Sequence, residues 1–591
     1  MPRCVAYYCS GHGYGHATRV SAFASHLLSL PVDTRPTVHI VSSAPAHVFA
    51  DSIALGAQYR NSLIDPVVVQ PVAYRIDRAK SVEALRLFLD TKEARVAEEA
   101  GWLKTVGADV VLSDAAFLAF LAADAARLPS ILVTNFTFDS VFSYLAAPTI
   151  QPSDANFPEP DIPIPDDALE PLVRQVYEGY RRADLLLRLP GHIPLPAFEV
   201  KPALPASSWV DFSAKAFSRQ VTSTLYPPHS YPNPAIHPPL PFSGPDAPPK
   251  PLQRTIRSAP LLVRPPSSDA YTDAGRTRIF SALGVPSNLH DPRFTKVLIV
   301  SFGGQVFHVP KSRSPSRPAS VALSPNTTKD DDDLSLFANG STPESAFAGD
   351  LRRSLTALVS GEKRHSSRYG GRRLQPPVFT PRHINVPGAP APASLPNTPR
   401  KPSRFATSPS IQLIPSSPMV ERTISMSSDE SDEAYILPDD SWIAIVCGAS
   451  TDDAADLPPG FFVAPRNAYM PDVMAVGDVL LGKLGYGSVA EAVDSCTPFV
   501  FVSRPLFVEE HGLRLYLDKA GTGVEMDRVE YEGGNWARAV AKAWEKGGRR
   551  KEMRRAGAHV VDRVKEGREM AHYLVGWVKE WYSKANAERP P

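Results

Sequence analysis

The chain is short of cysteine, of net charge and of long apolar runs. Four cysteines in 591 residues are too few for a disulfide framework and fit a reducing compartment. A net charge of +1 argues against a nucleic-acid partner and against a membrane binder held by electrostatics. Without a run of about 18 apolar residues, no transmembrane helix is expected, although peripheral association stays open. Met1-Pro2-Arg3 leads directly into a short apolar run, without the hydrophobic stretch or cleavage site of a signal peptide. The expectation is a soluble, cytoplasmic protein.

Proline, by contrast, is abundant. Its 61 residues are about twice the usual ~5%, while a 43% hydrophobic content still supplies sizeable cores. Folded and unfolded material must therefore be mixed. Roughly half of the prolines fall in residues 200–258 and 306–436, neither of which has the periodicity needed to offset chain ordering. Both are expected to be disordered insertions. Lengthening a short loop to ~130 residues costs only about 3 kcal/mol in closure entropy. The 306–436 stretch holds Ser-Pro and Thr-Pro pairs such as Ser314-Pro315, Thr380-Pro381 and Ser417-Pro418. These invite proline-directed phosphorylation, but Ser/Pro-rich composition also produces such pairs by itself. The Asp330–Asp333 run lies in the same stretch and is not read as a metal site.

The remainder alternates strand and helix. Val5–Cys9, Val38–Val41, Val67–Val69, Val110–Leu112, Ile131–Val133 and Leu185–Leu189 are strand candidates, with helical patterns at Val82–Thr105 and Ala115–Arg127. The pattern restarts with Val297–Phe302, Ile443–Cys447, Phe461–Val463, Val479–Leu481 and Phe499–Val502, then continues in helices to Ala585. Apolar strands alternating with helices imply parallel sheets covered on both faces. The expected division is a Rossmann-like domain at 1–199, a linker at 200–258, and a second such domain at 259–305 and 437–585. The 306–436 insertion interrupts the second domain, and 586–591 form a tail.

Five loops could carry chemistry. Ser10-Gly-His-Gly-Tyr-Gly-His-Ala-Thr-Arg19 follows the first strand and opens a helix, where parallel sheets bind ligands. Gly11, Gly13 and Gly15 permit close backbone approach, but their spacing is not the dinucleotide fingerprint. His16 at the helix start can serve as a base near neutral pH; a tight turn with packed histidines is the alternative. A zinc pair of His12 and His16 lacks a third ligand at motif spacing. Ser301-Phe-Gly-Gly-Gln305 and Cys447-Gly-Ala-Ser450 end strands in the same manner and could offer backbone N–H groups to an anion. Gly485, Gly487, Ser488 and Glu491 belong to Leu481-Gly-Lys-Leu-Gly-Tyr-Gly-Ser-Val-Ala-Glu-Ala492. There Ser488 and Glu491 match a capping box, or Glu491 accepts ribose hydroxyls. Phe507-Val-Glu-Glu-His-Gly512 supplies polar groups for sugar hydroxyls or a solvated helix start.

Together with Tyr7-Tyr8 and Leu189-Pro-Gly191, these motifs other than Phe507–Gly512 resemble the glycosyltransferase-like amino-terminal half of L-arabinokinase-type proteins, related to glycosyltransferase family 28. The likeness runs in order over roughly 400 residues and skips both proline-rich stretches. It implies a GT-B architecture: two Rossmann-like domains facing a cleft, with a nucleotide-diphosphate sugar mainly on the second and the acceptor entering from the first. By the same resemblance His16 would be the base for the acceptor hydroxyl, and Asp114 would orient it or belong to another site. Gly303, Gly304 and the Gly485–Ser488 turn would cradle the diphosphate of a donor, taken first as UDP-linked. Glu491 would hold the ribose, Ala464–Pro471 would meet the base, and Glu509, Glu510 and His511 would face the sugar. No metal or cofactor is implied. L-arabinokinases carry a GHMP-type kinase domain after this unit, whereas this sequence ends in helices without that kinase's phosphate loop. Glycosyl transfer is the leading expectation. A non-catalytic nucleotide-sugar-binding or regulatory module and a sugar-kinase-associated role are the alternatives.

Overall fold

The computed structural model describes residues 4–11, 13–72, 74–151, 153, 158–199, 201–225, 250–303, 389, 436–449, 457–465 and 467–587. The first sheet contains β1 (Cys4–Cys9), β2 (Thr37–Ser42), β3 (Gln58–Asn61), β4 (Val110–Asp114), β5 (Ser130–Thr134) and β6 (Leu185–Arg188). A short antiparallel pair, β7 (Val210–Asp211) and β8 (Ala216–Phe217), precedes its last strand, β9 (Thr255–Ser258). The order is β3-β2-β1-β4-β5-β6-β9, parallel throughout. Every residue of β1, β4 and β5 is buried, which explains their near-continuous apolar runs.

The second sheet repeats the plan. Its strands are β10 (Lys296–Ser301), β11 (Trp442–Val446), β12 (Phe461–Val463), β13 (Val479–Lys483), β14 (Phe499–Val502) and β15 (Gly523–Met526). They are ordered β12-β11-β10-β13-β14-β15, all parallel. Strand order therefore reverses between β1 and β4 and again between β10 and β13. In a doubly wound sheet, the carboxyl ends of strands at such a reversal open onto the ligand crevice. Two such sheets in one chain are the GT-B arrangement that the resemblance implies.

Several expectations are corrected. Val67–Val69 is not a strand: Val67 is exposed and Val68 packs from a loop, while the polar segment Gln58–Asn61 forms the edge strand β3. The Val82–Thr105 pattern is two helices, Arg78–Asp90 and Lys92–Thr105, parted at Thr91. The stretch 200–258 is not a uniform disordered linker. Trp209 is buried with Nε1 donating to Ala203 O at 2.7 Å, and β9 extends the first sheet. Arg254 is fully buried. It donates to the carbonyls of Ala183, Tyr180 and Ala197, and its guanidinium lies 3.5 Å from the Phe198 ring centroid. That network fixes the returning chain beside the first sheet.

The last helix, Arg563–Ala587, packs back on the first half, while Arg563 at its start pairs with Asp494 of the second half at 2.7 Å. Gly567 admits His26 so closely that a Cβ there would lie 2.2 Å from the imidazole Nε2. Tyr582 donates to Asp109 O at 2.8 Å, and Arg257 stacks 3.6 Å over Tyr573. Met570, Leu574 and Val578 are buried, each contributing up to about 1.5–3 kcal/mol.

Candidate functional site

The two reversal points meet. The helix Tyr14–Leu28 starts from Gly13 at φ 103°, and the helix Tyr486–Asp494 starts from Gly485. Neither has a side-chain cap, and neither carries an acidic residue in its first turn. Ser488 is thus not the N-cap and no capping box forms, because the N-cap falls three residues earlier, at Gly485. A Cβ on Gly15 would stand 3.8 Å from the Gly487 amide nitrogen, and one on Gly487 would stand 3.7 Å from Thr18 Oγ1. Small residues let the two helix starts approach this closely. Each start is the positive end of a macrodipole, so bringing them together is unfavourable unless an anion lies nearby.

His16 sits on the first of these turns and is 6% exposed. Its Nδ1 lies 3.0 Å from Asp114 Oδ1 at the end of β4, so Nδ1–H donating there leaves Nε2 to accept a proton. The ring is held edge-on to Phe136 and stacked along Phe138. Asp114 also receives Arg19 Nε on Oδ2 and Arg19 Nη2 on Oδ1, both at 2.5 Å. Burial alone would raise the Asp114 carboxyl, but Arg19 and His16 outweigh that and hold it below its ordinary range. Arg19 donates Nη1 to Asn135 Oδ1 at 2.5 Å and lies 4.6 Å from the Tyr486 ring centroid. Beneath the loop, Ser10 donates to Asp65.

On the second sheet, Gly303 turns at φ +84°. A Cβ there would lie 3.4 Å from Lys483 Cε and 3.6 Å from its Nζ. Burial, reinforced by Arg504, lowers the Lys483 ammonium to about 7, against the pull of Glu509 and Glu510. Glu491 faces Arg264 at 3.9 Å and is pushed up to about 7 by burial, with Arg264 opposing. Arg264 also meets Asp51 at 3.2 Å and stacks on Tyr469, which places Glu491 beside the first half.

Glu510 departs from the expectation. Both of its oxygens are taken by Arg504, from Nε at 2.6 Å and from the backbone N–H at 2.8 Å. A carboxylate committed in that way braces the loop instead of facing a sugar. Glu509, 3.7 Å from Arg504 Nη2, keeps partial exposure. His511 is wedged between Tyr144, whose hydroxyl lies 3.4 Å from Nε2, and Phe217. Burial, with Arg514 adding, lowers it to about 4.

His12, Gly304 and the phosphorylation and Asp330–Asp333 readings lie outside the described residues. Among the described residues, no group of three or more His, Cys, Asp or Glu could hold a metal ion. Among them too, no helix is long and apolar enough to cross a membrane. A groove of about 590 Å³ lies along the helix Asp166–Tyr180, lined by Leu169, Val173, Tyr177, Phe198 and Leu204, and none of the candidate residues borders it. Sequence reasoning missed Arg19, Tyr486 and Lys483 although all three stand inside the quoted motifs. Arg19 follows His16 by three positions, the spacing that shares a helix face, and that signal could have found it.

No family model matches this chain. It is similar to L-arabinokinase of Arabidopsis thaliana, 25% identical over 541 residues covering 91% of this chain and 32% of that protein. The chain thus spans about a third of the length of that relative. Solved structures similar to it include the glycosyltransferase SnogD from Streptomyces nogalater (12% identity, 98% of this chain, 100% of that one, TM-score 0.39). Another is a UDP-glucosyltransferase from Polygonum tinctorium capable of glucosylating indoxyl (12% identity, 98% and 99%, TM-score 0.42). At such scores the fold rests on the strand order and register above.

Proposed function

We propose that this chain transfers a glycosyl group from a nucleotide-diphosphate sugar to an acceptor hydroxyl, with His16 as the base. The observation that carries this reading is the meeting of two uncapped helix starts beside a buried His16–Asp114 pair. Gly303, Gly487 and Ser488 would receive the diphosphate through backbone N–H groups, Gly485, whose N–H is bonded to Lys483 O at 2.9 Å, would shape the turn, and Lys483 adds a nearby cation. Glu491 would accept the ribose hydroxyls, and Glu509 would face the sugar. His16 Nε2 takes the acceptor proton as the acceptor oxygen bonds to the anomeric carbon. The bond from that carbon to the diphosphate oxygen breaks, and the leaving charge falls between the helix starts. Such a base is worth about 10²–10⁴-fold. Each step uses side chains and backbone of the chain itself, and a UDP-linked sugar is the first donor to try.

Thermal unfolding against a panel of nucleotide sugars is the direct test. A donor at 100 times its Kd adds about 2.7 kcal/mol of stability. His16→Ala should then retain donor binding while donor hydrolysis or transfer falls at least 10²-fold. Binding of no nucleotide sugar refutes the reading, and undiminished turnover in His16→Ala removes the base. Donor binding with no turnover in the unaltered protein would instead favour a nucleotide-sugar sensor.

A further inference from the structure

Arg19 is the most heavily engaged cation beside the proposed base. Its side chain is 2% exposed and spends its donors on Asp114, Asn135 and Thr134 within the first half. Its face is turned to Tyr486 on the opposite helix start. The Tyr486 hydroxyl in turn accepts from the Leu262 N–H at 3.3 Å. A residue that only braced β4 against its neighbours would need no aromatic partner on the second sheet's helix.

We propose that Arg19 is a positioning residue that keeps His16 available as a base and registers it against the donor helix; this rests on the glycosyl-transfer reading above. A buried carboxylate paired with one imidazole draws a proton onto that imidazole. Here Asp114 is shared. Arg19 forms two charge-assisted bonds to it, and Nη2 itself stands 3.0 Å from His16 Nδ1. Both effects oppose a second proton on the ring while Asp114 still fixes its orientation. The link to Tyr486 then ties that arrangement to the helix start that would carry the diphosphate.

The other groups around the ring do not supply this balance. Tyr7 and Cys9 on β1 are both held neutral by burial. From the loop after β5 come Phe136, Phe138 and Asp139, the last raised to about 6 by burial. From the loop after β1 comes the Ser10–Asp65 bond. The second half presents Tyr486, raised by burial, and Glu509, whose charge is felt by Arg19. Among the described residues, Asp114 and Arg19 are the two charged groups within hydrogen-bonding distance of His16.

The test compares Arg19→Gln, Arg19→Lys and Tyr486→Leu with the unaltered protein, using the UDP-sugar that stabilises it most as probe. In Arg19→Gln the acid limb of the rate profile should move up by about one pH unit or more. The rate at pH 6.5 should fall about tenfold while donor KM holds. Arg19→Lys keeps the charge but loses the fork, so the limb should move less and kcat should still fall. Tyr486→Leu should lower kcat without moving the limb. The ¹³Cε1 resonance of labelled His16 should titrate at higher pH in Arg19→Gln and, to a smaller extent, in Arg19→Lys, a readout independent of turnover. If Arg19→Gln does not fold, Arg19→Lys decides: an unmoved limb with unchanged kcat overturns the proposal. The same holds for a folded Arg19→Gln whose limb and resonance match the unaltered protein. Should His16→Ala lose activity while the Arg19 variants behave normally, Arg19 alone is excluded. Activity retained in His16→Ala defeats the underlying reading.

Discussion

Gly512 tests whether the two halves are held at one fixed separation. It lies inside the helix Glu509–Ala520, where alanine would ordinarily be favoured by up to about 1 kcal/mol. A Cβ there would meet His192 O at 2.6 Å, Gly191 O at 2.8 Å and His192 C at 2.8 Å. All three are backbone atoms of the opposite half, and Gly191 is itself at φ +72° against Leu513. Neither side can yield as a flexible side chain would. Overpacking of this kind costs about 1–3 kcal/mol, so Gly512→Ala should be destabilised by a net ~1–2 kcal/mol. Gly576 is the control: it lies in the helix Arg563–Ala587 with nothing within 4 Å of an added Cβ. Gly576→Ala should be stabilised by about 0.5–1 kcal/mol. The same chemical change should thus act in opposite directions, read as a difference of about 1.5–3 kcal/mol in urea unfolding. Displacement at this contact should also reduce the proposed glycosyl transfer, since a shift of about 1 Å can cost 10²-fold. If Gly512→Ala is as stable as Gly576→Ala, the close docking of the halves is wrong.

Lys483 and His511 give pH-dependent predictions. The Lys483 ammonium falls to about 7 in the folded state, so its burden on stability grows as pH drops from about 10.4 towards 7. Lys483→Met should raise stability at pH 7 by about 1–4 kcal/mol while weakening nucleotide-sugar binding at least tenfold; calorimetry that finds lower stability and normal binding would contradict both. The depressed His511, at about 4, contributes nothing adverse above about pH 6.5. Between 6.5 and 4 the unfolded chain binds the proton that the folded one refuses, costing up to about 1.4 kcal/mol per pH unit. His511→Gln should flatten that slope in unfolding measured from pH 7 to 4, and an unchanged slope would assign it elsewhere.

Much of the fold was legible because interior parallel strands announce themselves as unbroken apolar runs, as β1, β4, β5 and β10 do. Edge strands do not. β3 reads Gln-Tyr-Arg-Asn and is held by its ladder to β2 more than by burial, so the more apolar Val67–Val69 attracted the assignment instead. β9 was hidden by the prolines around it, although Arg254 anchors it. Within the site, the pairing of His16 with Asp114 was implied by the resemblance, and Asp114 stands at the end of β4 within reach of His16. The Arg19–Tyr486 contact did not, because it depends on how two separately folded sheets dock. Glu510 looked open in sequence because nothing local shows that Arg504, six positions earlier, claims both its oxygens.

The return of the helix Arg563–Ala587 to the first half has a consequence in time. The face of the Tyr14–Leu28 helix around His26 is covered by residues translated at the far end of the chain. At about 5–20 residues per second, it waits roughly half a minute to two minutes on the ribosome, while both proline-rich stretches emerge. The first sheet can form early, but its outer helix stays unshielded for that interval. The apolar surface meant for Leu574 and Trp581 is then open to chaperones or to other nascent chains.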